Sequence, residues 1–121
     1  MHYKDLRIYQ LANKLRKELY QELIAIPHYW NIKEVGQAID SSSSAVSNIV
    51  EGFGRKFYQR DFFRFLDMSM ASSDETQDHI IALRTKGHLS EKRANYFENS
   101  YKTLAIQTLN MMNKIRTNEH F

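Results

Sequence analysis

Apolar side chains recur along this chain at steps of three and four. Ile8, Ala12, Leu15, Leu19, Leu23 and Ile26 form one such series, and residues spaced this way share a face at 3.6 residues per turn. Pro27 then ends the run, because it brings no N–H to the helical ladder and disfavours helical backbone at the residue before it. The pattern predicts a first helix over 4–26. A second series, Ile32, Val35, Ile39, Ser43, Val46, Val50 and Phe53, predicts a helix over 32–54. Asn31 is its expected N-cap, with Glu34 three residues on as in a capping box, and Gly52 and Gly54 close it. Phe62, Leu66, Met70, Ser73, Gln77, Ile80 and Leu83 predict a third helix over 58–86, with Gly87 as its left-handed terminal residue. The fourth, over 90–116, is capped by Ser90. It carries the most regular face: Ala94, Phe97, Tyr101, Leu104, Thr108, Met111 and Ile115, the heptad-like seam of bundle packing.

At ~1.5 Å rise per residue these helices match in length at roughly 35–40 Å. Links of a few residues between equal helices force antiparallel neighbours. The expected fold is therefore all-α, an antiparallel up-down-up-down four-helix bundle formed by one domain over 1–121. Ser41-Ser42-Ser43-Ser44-Ala45 sits inside the second helix, yet the apolar period runs through it. The reading is a face of small side chains that lets a neighbour come close, with Ser69, Ala71, Ser72 and Ser73 of the third helix opposite. Apolar residues also lie off the core stripes: Leu6, Tyr9, Leu11, Tyr20, Ile24, Ile49, Phe65, Met68, Ile106 and Met112. Such a surplus points to self-association.

The stretch from Ser44 to Arg55, with Asn48, Glu51, Gly52, Gly54 and Arg55 at its centre, resembles the Ser-Ile-x-x-Asn-Ile-x-Glu-Gly-x-Gly-Arg signature of the 23S rRNA-intervening sequence protein family. Phe62-Phe63-Arg64-Phe65-Leu66 followed by Ala71-Ser72-Ser73-Asp74-Glu75 is similar to that family's aromatic-to-Ser-x-x-Glu segment, and Tyr3-Lys4-Asp5-Leu6 with Ala12 to its opening. The resemblance spans nearly the whole chain. It implies a four-helix bundle of bacterial origin and a homo-oligomer, since related proteins look like pentameric rings. Retroelement accessory proteins of similar fold bind nucleic acid and a reverse transcriptase, the family's own function is poorly defined, and the resemblance brings no catalytic residues with it. One departure is that Phe57-Tyr58-Gln59 stands where the family often has a Ser or Thr capping the third helix. Within the motif, Asn48, Glu51 and Arg55 lie near one helix face. Glu51 and Arg55, four apart, can pair, and Asn48 and Glu51 are expected to bind backbone groups at the turn that follows.

Charge changes the picture through its placement. The formal net charge is +3. In an up-down-up-down bundle, residues 1–11, 48–66 and 109–121 meet at one pole. There Lys4, Arg7, Arg55, Lys56, Arg60, Arg64, Lys114 and Arg116 face Asp5, Glu51, Asp61 and Glu119, eight cations against four anions, leaving nine against ten elsewhere. Tyr3, Phe53, Phe57, Tyr58, Phe62 and Phe63 belong to the same end. Cations beside exposed aromatics hold phosphates and stack on unpaired bases, so these eight residues are the candidate contacts to RNA or DNA.

Other chemistries find little support. The chain has no Cys, which removes disulfide, thiolate-metal and Cys-nucleophile readings. Glu75 and His79 are four apart, whereas a di-iron bundle needs two Glu-x-x-His pairs, so neither a metal nor a cofactor is expected, nor a small-molecule substrate. Helical-bundle ribonuclease toxins use an Arg followed by four to six residues and a His; Arg84–His88 and Arg116–His120 are too close. The expected function is a non-enzymatic, homo-oligomeric adaptor that binds nucleic acid weakly. The alternatives are a pure protein-interaction module and, behind it, a ribonuclease. No apolar run reaches the ~18 residues of a membrane span, and the first residues lack a signal-peptide apolar core, so a cytoplasmic location is expected.

Overall fold

The computed structural model describes residues 1–117 and is helical from end to end, so Glu119 and His120 lie outside the described residues. The four helices are α1 (Arg7–Ile24), α2 (Lys33–Phe53), α3 (Gln59–Thr85) and α4 (Glu91–Arg116). Single 3-10 turns occur at Tyr3–Asp5 and Tyr29–Asn31.

The direction of each helix follows from its bonded partners. Along α2 and α3, Ser41 meets Thr76 and Ser44 meets Ser72. Along α3 and α4, Arg84 binds Glu98 while Arg116 stands over Phe63. Along α1 and α4, Glu22 binds Arg93 and Glu18 binds Tyr96, while Arg7 and Lys114 line one depression. In each pair one number rises as the other falls, so all three pairs run antiparallel. That makes α1 and α2 antiparallel as well, and the bundle is up-down-up-down.

The α1 stripe is buried as the spacing requires, from Ile8 to Ile26. The faces of α2 and α3 are rotated from the expected ones. On α2 the fully buried positions are Val35, Ala38, Ala45 and Ile49, whereas Ile39, Ser43 and Val50 are half-buried. On α3, Ser69 and Thr76 are buried in place of Met70 and Gln77. The cause is the α2–α3 seam, where hydroxyl and small side chains take the interior. The Ser41 and Thr76 hydroxyls lie 2.7 Å apart, those of Ser44 and Ser72 3.0 Å apart, and Ser69 donates to the Ala45 carbonyl at 2.7 Å. Ser69, Ser72 and Ser73 face the seam as expected, but Ala71 is exposed. Leu6, Ile49 and Met112, expected as surplus, are core residues. Tyr20, Met68 and Ile106 remain exposed.

Helix ends differ from expectation where side chains compete for the backbone. Residues 3–6 are not part of α1. His2 and Asp5 cap a separate 3-10 turn, with His2 N donating to Asp5 at 2.9 Å, and Leu6 is extended and buried. Asn31 does not cap α2. Ile32 holds the N-cap position without a side-chain bond, because Asn31 closes the 3-10 turn onto the His28 carbonyl. Glu34 instead pairs with Lys86, which holds its carboxyl below the usual range. Ser90 caps α4 and Gly87 is left-handed at φ 84°. Gly54 is right-handed at φ −62°, so α2 ends without a left-handed residue.

Gly52 serves packing. A Cβ there would lie 3.1 Å from the Phe65 Cβ and 3.2 Å from a Phe62 ring carbon, whereas one at Gly36 would meet nothing within 4 Å. Gly52→Ala is expected to lower stability by ~1–3 kcal/mol through overpacking. Gly36→Ala, in an exposed helical turn, is expected to raise it by about 0.5–1 kcal/mol. Urea denaturation of the two variants checks this; equal effects would contradict the close approach.

Candidate functional site

The pole where α1 and α3 begin and α2 and α4 end is built from the sequence outward. Phe53 and Phe62, at the end of α2 and the start of α3, are buried and anchor the turn between them. That turn is fixed by backbone bonds: Arg55 N to Gly52 O at 2.9 Å, Lys56 N to Phe53 O at 3.1 Å and Tyr58 N to Arg55 O at 2.9 Å. α3 then starts at Tyr58 with no side-chain cap, as the absence of Ser or Thr there implies. Its first turn carries Asp61, which suits the positive end of the helix dipole.

The eight predicted cations all lie on the surface of this pole, Arg55 and Lys56 partly shielded. The structure joins them through aromatic rings. The Arg55 and Arg64 guanidiniums stand 4.8 and 4.9 Å from the centre of the Phe65 ring. Lys56 Nζ sits 4.1 Å from the Phe53 ring and 5.5 Å from the Phe57 ring. Arg116, from the end of α4, lies 5.0 Å from the Phe63 ring. Arg7 and Lys114 line an open depression of about 460 Å³ between α1 and α4, together with Gln107 and Asn110. Arg60 and Arg64 line another with Asp61 and Asp67. Lys4 sits on the 3-10 turn beside α1, its carbonyl accepting from Gln10 at 3.0 Å.

Among the described residues Arg55 is the pole cation with a carboxylate partner, Glu51 at 2.7 Å. The far pole is different. There Lys86 pairs with Glu34, Arg84 with Glu98 and Arg93 with Glu22. The far-pole pairs each cross between helices, and Arg93 there also stands 4.7 Å from the Tyr96 ring. At this pole Arg55, Lys56, Arg64 and Arg116 stand over rings, and Arg55 pairs within its own segment. A ring-backed cation keeps its charge available while losing side-chain freedom.

The family motif divides by role. Glu51 and Arg55 pair as their spacing requires. Asn48 does not reach the turn; its amide donates to the Ser44 carbonyl at 3.0 Å and to the Ser44 hydroxyl at 3.2 Å, tying it to the α2–α3 seam. Of the aromatics expected at this end, Phe53 and Phe62 are core and Tyr3 and Phe63 are half-buried, while Phe57 and Tyr58 project into solvent. Phe65, the ring shared by Arg55 and Arg64, is absent from the aromatics expected at this end. The signal available was that Phe65 stands next to Arg64; its Cβ packs against Gly52.

Elsewhere, Glu75 lies 3.9 Å from His79, and among the described residues no three His, Cys, Asp or Glu side chains converge as a metal would require. No described helix is long and apolar enough to cross a membrane. The buried Tyr101 hydroxyl has no hydrogen-bond partner, and burial pushes its pKa up, which keeps it neutral.

A double-mutant cycle checks the ring-backed arrangement. Arg64→Ala and Phe65→Leu are expected to couple by about 0.5–1 kcal/mol in urea denaturation; additive effects would mean that Arg64 does not rest on Phe65.

The model of the 23S rRNA-intervening sequence protein family matches residues 4–111, so the match takes in all but the last turn of the bundle. A comparison with curated proteins gives no match.

Proposed function

The chain belongs to the 23S rRNA-intervening sequence protein family, and we propose that it acts there as a non-enzymatic, self-associating adaptor whose basic pole holds RNA or DNA weakly. The observation that carries this reading is the contrast between the poles: cations paired to carboxylates across helices at one, and at the other eight cations from α1, α3, α4 and the turns beside them, half of them backed by rings. A phosphate backbone recognises such a surface by charge, whatever its base sequence. Asp5, Glu51, Asp61 and Asp67 are interleaved with the cations and keep the attraction modest.

Self-association supports the same role. Tyr20, Met68, Ile106 and Leu109 are exposed on the helices, Tyr20 far from the pole and the other three at or near it. An assembly joined through flanks repeats the pole around an axis, and avidity then turns a weak site into a useful one. By resemblance to its family the assembly is a pentamer.

Binding through about four phosphates gives a salt slope near −0.7 per contact for single strands. Affinity for a labelled oligonucleotide is therefore expected to fall about 50-fold between about 50 and 200 mM salt, as read by fluorescence anisotropy. No binding at about 50 mM salt would refute the reading. Light scattering is expected to give a multiple of the 14.4 kDa protomer; a monomer mass would remove the adaptor's self-association.

A further inference from the structure

Phe57 and Tyr58 are the two most exposed large apolar side chains among the described residues, at 87% and 70% of their full surface. They are adjacent, in a turn bracketed by two buried rings, Phe53 and Phe62. The fold thus uses the outer rings of the Phe53–Phe62 stretch as core and leaves the middle two in water. Burial of a Phe ring favours folding, and Phe57 forgoes that gain. The turn that displays the pair is held by the three backbone bonds described above, so the rings are presented on a fixed support.

The surroundings indicate what covers them. Lys56 lies between a buried and an exposed ring, 4.1 Å from Phe53 and 5.5 Å from Phe57. Arg55 precedes the pair and the exposed Arg60 follows it. An apolar face ringed by cations complements a ligand with flat apolar faces joined by anions, which is the chemistry of an unpaired nucleotide run. In a duplex the base faces are stacked on one another and only their edges are open. Phe57 has no donor or acceptor for an edge, so its ring gains nothing from paired bases.

We infer that the Phe57–Tyr58 turn is a stacking platform for unpaired bases, which makes the basic pole select single strands over duplex. The inference rests on the reading of the pole as a nucleic-acid surface and adds to it the strand form.

The test uses the full chain and one labelled 20-nucleotide sequence, offered single-stranded and as a duplex at the same salt. Stacking of one or two bases predicts about tenfold tighter binding of the single strand. The double variant Phe57→Ala with Tyr58→Ala is expected to lose about tenfold on the single strand and little on the duplex, with an unchanged salt slope. Lys56→Ala is expected to weaken both forms and flatten the slope. Both rings are exposed, so the double variant should keep its helical circular dichroism. A Phe57→Trp chain with Trp30→Phe supplies a second readout: its single indole is expected to be quenched by the single strand and not by the duplex. Equal binding of both forms with an indifferent double variant would overturn the inference while leaving the basic pole standing. So would dissociation of the assembly on removing the rings with strand preference unchanged, which would make the rings a contact between protomers. Absence of binding to either form would overturn the pole reading and this inference together.

Discussion

The Ser69 hydroxyl of α3 donates to the Ala45 carbonyl of α2 across 2.7 Å, and much of the molecule depends on the close approach this bond requires. A short side chain reaches a neighbouring helix's backbone only where both faces are stripped of bulk. Ala38, Ser41, Ala45 and Gly52 supply that on α2, and Ser69, Ser72, Ser73 and Thr76 on α3. Hydroxyls buried in this way would be costly if unpaired. Ser42 donates to a carbonyl three residues back and Ser73 and Thr76 to carbonyls four residues back, which leaves the Ser41 hydroxyl to donate to Thr76 across the seam. The α1–α4 side is packed more loosely: the Gln107 side-chain oxygen has no partner there, and the depression lined by Arg7 and Lys114 stays open.

The seam also determines the pole. At its end Gly52 lets Phe62 and Phe65 settle against α2, and α2 stops one residue later. The short turn that follows must carry Arg55 and Lys56 outward, and α3 leaves it with Arg60 and Arg64 on the same end. Phe65, its Cβ packed against Gly52, becomes the ring on which Arg55 and Arg64 both rest. The small residues of the seam and the charged residues of the pole are thus two consequences of one packing choice, and the family signature from Asn48 to Arg55 spans the point where they meet.

Periodicity and chain stops encode the order of the elements. The four helices, their order and the α1 face were legible because Leu and Ile repeat cleanly and Pro27, Gly87 and Ser90 punctuate them. The rotation of α2 and α3 was not, because hydropathy does not separate Ser41 from Ser43 or Thr76 from Gln77, whereas the Ser41–Thr76 hydrogen bond turns that pair inward. Asn31 had the right type and spacing for a cap, but a 3-10 turn took it first. The gathering of cations at one pole followed from topology alone. Which aromatics would face water did not, since Phe53, Phe57 and Phe62 are identical in type and differ only in where the turn leaves them.

The most direct test of the close α2–α3 seam uses the absence of cysteine in the chain. The Ser44 and Ser72 hydroxyls are 3.0 Å apart, near enough for a disulfide to replace them with small side-chain adjustments. A Ser44→Cys, Ser72→Cys chain is predicted to cross-link within the protomer under mild oxidation while keeping its helical circular dichroism. Two thiols that remain free to a thiol reagent after oxidation, in a chain that is still folded, would mean that α2 and α3 do not approach in this register.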